Sequence, residues 1–247
     1  MSLILAVIAA PFGAVAASFA ATAGLRWARG EQALSGRSAC DSCGVALGYG
    51  QTVPIVSYIA QRGACSRCRA PIARAHLVAE AAGLISASLA FLCLPPLSAL
   101  AVTALGLTLI AAAAADSACR RLPDLTTLII ALLGAGLAWT RGPWALAAGL
   151  AAALLATTVL LIIRKAVTTS DGLPGLGLGD VKLMAGLALW LGMVTPWAMA
   201  IGGMIGLIQV RWGRPQDRKI AFGPALALGG WCVGLALQAG WLGDFAV

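Results

Sequence analysis

The sequence predicts an all-α polytopic membrane protein with about eight transmembrane helices and a four-cysteine cytoplasmic insertion between the first two. Three observations predict it: composition, the spacing of apolar runs, and the distribution of basic residues. Hydrophobic residues make up 60% of the 247 and charged residues 11%, against about 25% charge in a soluble domain. Mean hydropathy is +0.92. A span needs roughly 20 apolar residues, fewer when it is enclosed in a bundle. On that measure the runs fall at about 3–25, 77–94, 97–115, 126–140, 143–163, 181–194, 196–210 and 220–241. The fourth, sixth and seventh are short. Leu94-Pro-Pro-Leu97, Arg141-Gly-Pro143 and Thr195-Pro196 mark the tight turns between spans.

The basic residues orient this map. Arg26, Arg29, Arg37, Arg62, Arg67, Arg69 and Arg74 lie between the first and second runs. Arg120 and Arg121 lie between the third and fourth, and Arg164, Lys165 and Lys182 bracket the loop from the fifth to the sixth. Arg211, Arg214, Arg218 and Lys219 lie between the last two. Only Arg141, one of 17 Lys and Arg residues, falls on the other side. This is a positive-inside pattern, which makes those loops cytoplasmic and both termini periplasmic, with the lipid bilayer as the partner. The net charge of +8 therefore reports topology and gives no ground for a nucleic-acid partner. The first run has no basic residue before it and several after it, which suits an uncleaved first span rather than a signal peptide. The chain divides into a first transmembrane helix at 1–25, an insertion at 26–75 and a multi-span unit at 76–247.

The insertion carries Cys40-Asp-Ser-Cys43 and Cys65-Ser-Arg-Cys68. Two such pairs with this separation form a zinc-ribbon pattern, in which Cys40, Cys43, Cys65 and Cys68 close one structural tetrahedral site. A pair of disulfides is the alternative, and the reducing cytoplasmic side argues against it. A metal would fold a loop too small to bury its own core. Cys93 and Cys232, in apolar runs, read as buried small hydrophobes.

Asp116 and Asp180 are lone acids at the edges of apolar runs, on one side of the membrane. Ionisable groups in such places are functional hypotheses by default. If the third and sixth spans are neighbours, the two can share one proton and act as general base and general acid on a peptide bond. The glycines of Gly177-Leu-Gly179-Asp180 permit close approach of another chain. Lys182 is placed to steady a carboxylate or a lipid headgroup. The alternative is that these acids only cap helices, Asp180 for the sixth span and Asp124, after Pro123, for the fourth. A proton-coupled transporter using the same acids and a non-catalytic zinc-bearing scaffold are the other classes open. Asp171, Asp217 and Asp244 read as solvated. Glu80, just inside the second span, needs a partner or a polar cavity.

Taken in order, these motifs resemble the type IV prepilin peptidase family of GxGD-type aspartic proteases. The resemblance runs from the paired cysteines and Ala70-Pro71-Ile72, through Asp116 with Leu122-Pro123-Asp124 and Gly177-Leu-Gly-Asp180-Val-Lys-Leu-Met, to Phe222-Gly-Pro224-Ala-Leu-Ala. It implies that Asp116 and Asp180 are the catalytic pair, with Asp124, Gly177, Gly179 and Lys182 in support. It implies prepilin or pseudopilin substrates with short basic leaders, cleaved at the cytoplasmic membrane face of the bacterial inner membrane. Many members then N-methylate the new N-terminus with S-adenosylmethionine. Two stretches depart from the family pattern: Ala17-Ser18-Phe19-Ala20-Ala21 in the first span and Gln51-Thr52-Val53-Pro54 in the insertion. The intact four-cysteine insertion implies that methyl transfer is kept.

Overall fold

The computed structural model describes residues 2–167, 176–212 and 221–243. Among these, nine α-helices form: α1 (Ser2–Ala28), α2 (Val56–Ala60), α3 (Arg74–Cys93), α4 (Pro96–Cys119), α5 (Asp124–Arg141), α6 (Pro143–Ala166), α7 (Leu178–Leu191), α8 (Thr195–Trp212) and α9 (Gly223–Gln238). No strand longer than an isolated bridge occurs among them. Asp171, Asp217 and Asp244, read above as solvated, lie outside the described residues.

Proline opens two of the helices, although Pro11 lies inside α1. Pro96 opens α4 and Pro143 opens α6, each within the first turn, where a missing N–H costs nothing. Five segments are long and apolar enough to cross a membrane: α1, α3, α4, α6 and the 34-residue stretch Leu178–Arg211. Asp124–Thr140 and Gly223–Gln238 are shorter apolar helices. The 34-residue stretch is not one rod. Gly192 has φ +56° and a 3-10 turn follows at Gly192–Val194. Beyond it the chain reverses: Gly229 of α9 packs on Ala198, and Gly202 on Leu226, so α8 runs antiparallel to α9. Among the described residues eight apolar helices lie at the positions of the eight apolar runs, though only five segments have the length and hydropathy of a full span.

Contacts between small residues fix the remaining directions. A Cβ on Gly83 of α3 would collide with the Gly13 carbonyl and the Ala17 methyl of α1, and one on Gly24 of α1 would collide with the Ala111 carbonyl of α4. Thus α1 lies against both, antiparallel to α3 and parallel to α4. Small residues permit such approach where lipid supplies no hydrophobic drive between helices. α7 is the inner helix. Of its 14 residues, Val181, Leu183, Met184, Gly186, Leu187, Ala188, Trp190 and Leu191 are buried. At about 21 Å it is shorter than the hydrocarbon layer, and α5, α6 and α9 surround it.

Charge follows the same axis. Arg26, Arg120, Arg164 and Lys182 stand at one end of the bundle with the insertion. Arg141 stands at the other, where its guanidinium donates to the Trp190 carbonyl at the end of α7. One sequence expectation is corrected. Cys232 is exposed and Cys93 half-buried, because Cys232 lies on the face of α9 turned away from α4 and α7.

Gly83→Ala is expected to lower the thermal unfolding midpoint of the detergent-solubilised protein, by overpacking worth about 1–3 kcal/mol. Gly136→Ala, where a Cβ meets nothing within 4 Å, should cause no loss. Equal behaviour of the two would contradict this account of α1 against α3.

Candidate active site and cysteine cluster

Asp116 lies one turn from the end of α4 and is buried, only 6% exposed. Its partner comes from another helix. Gly223 is the first residue of α9, so its N–H has no acceptor within that helix. It donates to Asp116 Oδ2 at 2.9 Å. The positive end of the α9 dipole therefore faces the carboxylate. A Cβ on residue 223 would sit 2.7 Å from Asp116 Oδ2, so this approach requires glycine. Arg120, whose left-handed backbone (φ 55°) ends α4, interacts electrostatically with Asp116.

Asp180 is the third residue of α7, whose N-cap is Gly177. Its half-buried carboxylate turns back and accepts a hydrogen bond from the Gly177 amide. An acidic residue at the third position commonly reaches back in this way to the N-cap. The capping expectation is thereby corrected: Asp180 is not the N-cap, and neither is Asp124, which follows the N-cap Pro123. A Cβ on Gly179 would meet Leu122 at 3.1 Å. Leu122 belongs to the α4–α5 connection, so Gly179 lets that connection close over the start of α7. The Asp116 and Asp180 carboxylates are near enough to interact through their charges.

Asp124 and Lys182 form an ion pair at 2.7 Å. Their side chains are 81% and 53% exposed, which makes the pair a weak contributor to stability. It joins the first turns of α5 and α7 beside the buried acids. Chemically, two carboxyls at one depth, each next to a helix N-terminus, can hold and pass a proton.

In the insertion, each cysteine pair occupies a tight knuckle. Bridges Ala39↔Ala46 and Ala64↔Pro71 close the two. The second cysteine of each pair precedes a residue in the left-handed region, Gly44 (φ 67°) and Arg69 (φ 61°). Within the knuckles Cys40 N–H donates to Val45 O at 2.9 Å and Cys65 N–H to Ala70 O at 2.8 Å. All four thiols are free, and their sulfurs lie within 4.8 Å of one another. Cys40 Sγ and Cys68 Sγ are 3.9 Å apart, too far for a disulfide. Metal–sulfur bonds of about 2.3 Å in a tetrahedron require sulfurs about 3.8 Å apart, so the cluster fits a metal ion. The amides of Cys68 and Arg67 hold the Cys65 thiol down at about 6, whereas Cys68, despite the Ala70 amide, is pushed up to about 11 by burial and the crowding of the other three sulfurs, so the set favours one thiolate until a cation joins it.

Glu80 on α3 is buried, 8% exposed. Ser18 Oγ of α1 donates to its Oε1 at 2.8 Å and the Ile55 amide of the insertion to its Oε2 at 2.7 Å. Ile55 has φ 63°, a costly conformation for a β-branched residue. Glu80, Ser18, Gln51, Tyr58 and His76 line a cavity of about 430 Å³ between the insertion and the ends of α1 and α3. The sequence flagged Glu80 as needing a partner or a cavity, and it has both. Neither Ser18 nor Ile55 could be identified beforehand as its partner, since they lie 62 and 25 residues away. Gly223 as a donor to Asp116 was equally hidden, apart from the Phe222-Gly-Pro224 motif that surrounds it.

Comparison with known proteins follows the same division. Residues 12–94 match the family described as bacterial peptidase A24 N-terminal domain, and residues 103–210 match the type IV leader peptidase family. A prepilin leader peptidase/N-methyltransferase of Burkholderia pseudomallei (strain 1026b) is 39% identical over 205 residues, covering 78% of this chain and 65% of that protein. Proteins of the same name from Aeromonas hydrophila and Neisseria gonorrhoeae are 34% and 31% identical. Those matches cover 79% and 83% of this chain, and 70% and 72% of the relatives. The chain thus spans about two thirds of the length of the curated relatives it matches. No solved structure matches it.

The cluster geometry predicts about one metal ion per chain in the purified protein, measured by elemental analysis. The double substitution Cys40→Ser, Cys65→Ser should abolish binding. Full retention would exclude a four-cysteine site.

Proposed function

Because this chain belongs to the type IV leader peptidase family, we propose that it is an aspartic endopeptidase. It removes basic leader peptides from type IV prepilins or pseudopilins at the cytoplasmic face of the bacterial inner membrane. It then N-methylates the new N-terminus. The observation that carries the first activity is the pair of Asp116, held by the α9 N-terminus, and Asp180, held by the α7 N-terminus, within electrostatic reach of each other. The segregation of Arg26, Arg120, Arg164 and Lys182 from Arg141 supports the orientation, with both termini periplasmic.

In the proposed reaction Asp116 and Asp180 hold one proton between them. The ionised member takes a proton from water as it attacks the scissile carbonyl. The protonated member donates a hydrogen bond to the carbonyl oxygen, and a proton then passes to the leaving amine. Asp124 and Lys182 act in support as an exposed ion pair between the first turns of α5 and α7, beside Asp180. Gly179 lets Leu122 of the α4–α5 connection lie on the start of α7, and Gly177 leaves room for the returning Asp180 carboxylate.

Zinc is the proposed metal of the cysteine cluster, on the strength of the four thiolates and their spacing. Its role is structural. The proposed methyl donor is S-adenosylmethionine, which when bound supplies an electrophilic methyl group. The cavity beside Glu80 suits it in volume and polarity, and it opens at the same end of the bundle as the acids. Glu80, Gln51 and Tyr58 are the residues proposed to hold the donor.

Two measurements test these activities. Asp116→Asn and Asp180→Asn should each slow leader cleavage by about 10²–10⁴-fold, the usual contribution of a general acid or base. Asp124→Asn should have a milder effect. Substantial cleavage by either of the first two variants sinks the pairing. Mass spectrometry of the cleaved pilin should find its N-terminus methylated only when S-adenosylmethionine is present. An unmodified amine despite efficient cleavage and ample donor would leave a peptidase alone.

A further inference from the structure

We propose that Glu80 is the counter-charge for an organic cation, a sulfonium or an ammonium, bound in the cavity between the insertion and the ends of α1 and α3. Both of its oxygens are engaged, but by neutral donors: the Ser18 hydroxyl at 2.8 Å and the Ile55 amide at 2.7 Å. Among the described residues no Lys, Arg or His nitrogen lies within 4 Å of its carboxylate. Arg26, Arg29, Arg37 and His76 line the same cavity with Glu80, Glu31 and Asp41, and three of these bases are directed to other groups. Arg26 donates to the carbonyls of Ser35 and Arg37. Arg29 pairs with Asp41 at 3.0 Å, and His76 lies 3.7 Å from the same carboxylate. Glu80 is therefore a buried acid (8% exposed) with hydrogen bonds and no ion pair.

Buried charges are ordinarily paired, because two neutral donors recover only part of the lost hydration. The missing partner has a place to sit, since Glu80 lines the 430 Å³ cavity. The chain also bends to keep the acid in position. Ile55 adopts φ 63° with its amide bonded to Glu80, a conformation that persists only where the surroundings enforce it. A plain hydrophobic contact could anchor the insertion here without a charge. Tyr58 is among the lining residues, and an aromatic ring can also receive a cation.

The proposal rests on the methyl-transfer reading, which supplies two ligands of this chemistry. The methyl donor carries a sulfonium, and the new N-terminus of the processed pilin is an ammonium until it loses a proton. Binding to the full-length, zinc-loaded protein in detergent can be followed by calorimetry in two arms. One compares S-adenosylmethionine with S-adenosylhomocysteine, its uncharged thioether. The other compares a processed-pilin peptide having a free amine with its N-acetylated form. In at least one arm the cation should bind about tenfold tighter or more, which is the scale of one modest charge interaction. The arm that discriminates identifies the ligand. Glu80→Gln should bring that ratio to near one while zinc content stays unchanged. Ser18→Ala, which removes a hydrogen bond but no charge, should keep it. The proposal is overturned if the unmodified protein shows no preference in either arm, or if Glu80→Gln retains the preference. Binding without charge discrimination defeats Glu80 alone. If none of the four ligands binds, the methyl-transfer reading falls with it.

Discussion

The hydrogen bond from the Gly223 amide to Asp116 is the constraint from which the helix arrangement follows. A carboxylate buried inside a helical bundle cannot rely on bulk water and must find its partners within the protein. The first turn of a helix is one of the few backbone sources of free N–H groups. α9 must therefore begin at the depth of Asp116, and its first residue must lack a side chain. From there α9 runs antiparallel to α4, passing Gly106 at Trp231. It has to be reached from the same end by α8, which requires the chain to reverse after α7. The 3-10 turn at Gly192 supplies that reversal. One acid in the bundle thus accounts for the start of one helix, the direction of a second and the turn that divides a third from it.

Around this bond the packing is made by residues with little or no side chain. On α9, a Cβ at Gly229 would press on the Ala198 carbonyl of α8 at 2.7 Å, and one at Gly230 on Leu187 of α7 at 2.6 Å. Gly234 gives way to the Trp190 ring. Three glycines thereby let α9 fit between α7 and α8. Trp190 is fully buried as a consequence, and its indole N–H donates to Gln238 Oε1 at 3.3 Å. Tight packing at this end holds α7 along its axis, and the axial position of α7 decides the depth of Asp180.

Much of this architecture was legible in the sequence. Apolar runs and punctuating prolines are local properties, so eight apolar helices and their turns could be read directly. The cysteine cluster was legible because two CxxC pairs bring their own local geometry. The helix starts were less so. Glycine is a poor helix former, and Gly177-Leu-Gly179 reads as a loop, yet α7 begins at Leu178. The Gly177 N-cap and the returning Asp180 carboxylate offset that weakness, and the acid became a third-position residue instead of a cap. The exposure of Cys232 was missed because a uniformly apolar helix does not reveal which face meets lipid. Contacts such as Ser18 with Glu80 depend on α1 lying against α3. Their register is set by Gly13 and Gly83, which have no signature beyond being small.

The two proposed chemistries belong to different halves of the chain, and α1 is what relates them. The family matches break between residues 94 and 103, at the Pro95-Pro96 turn that joins α3 to α4. Glu80 and the cavity lie in the first half, the two aspartates in the second. Cleavage followed by methylation requires the new amine to reach the methyl donor without crossing the membrane. α1 makes this geometrically simple by packing on both halves, against Gly83 on one side and, through Gly24, against Ala111 on the other. Ala111 is five residues from Asp116, about 7.5 Å along α4, while Thr22 and Leu25 on the flanks of Gly24 line the cavity. Removing the side chain at residue 24 therefore sets how near the cavity comes to the acids. A larger residue there would separate the two sites while leaving the residues of each unchanged.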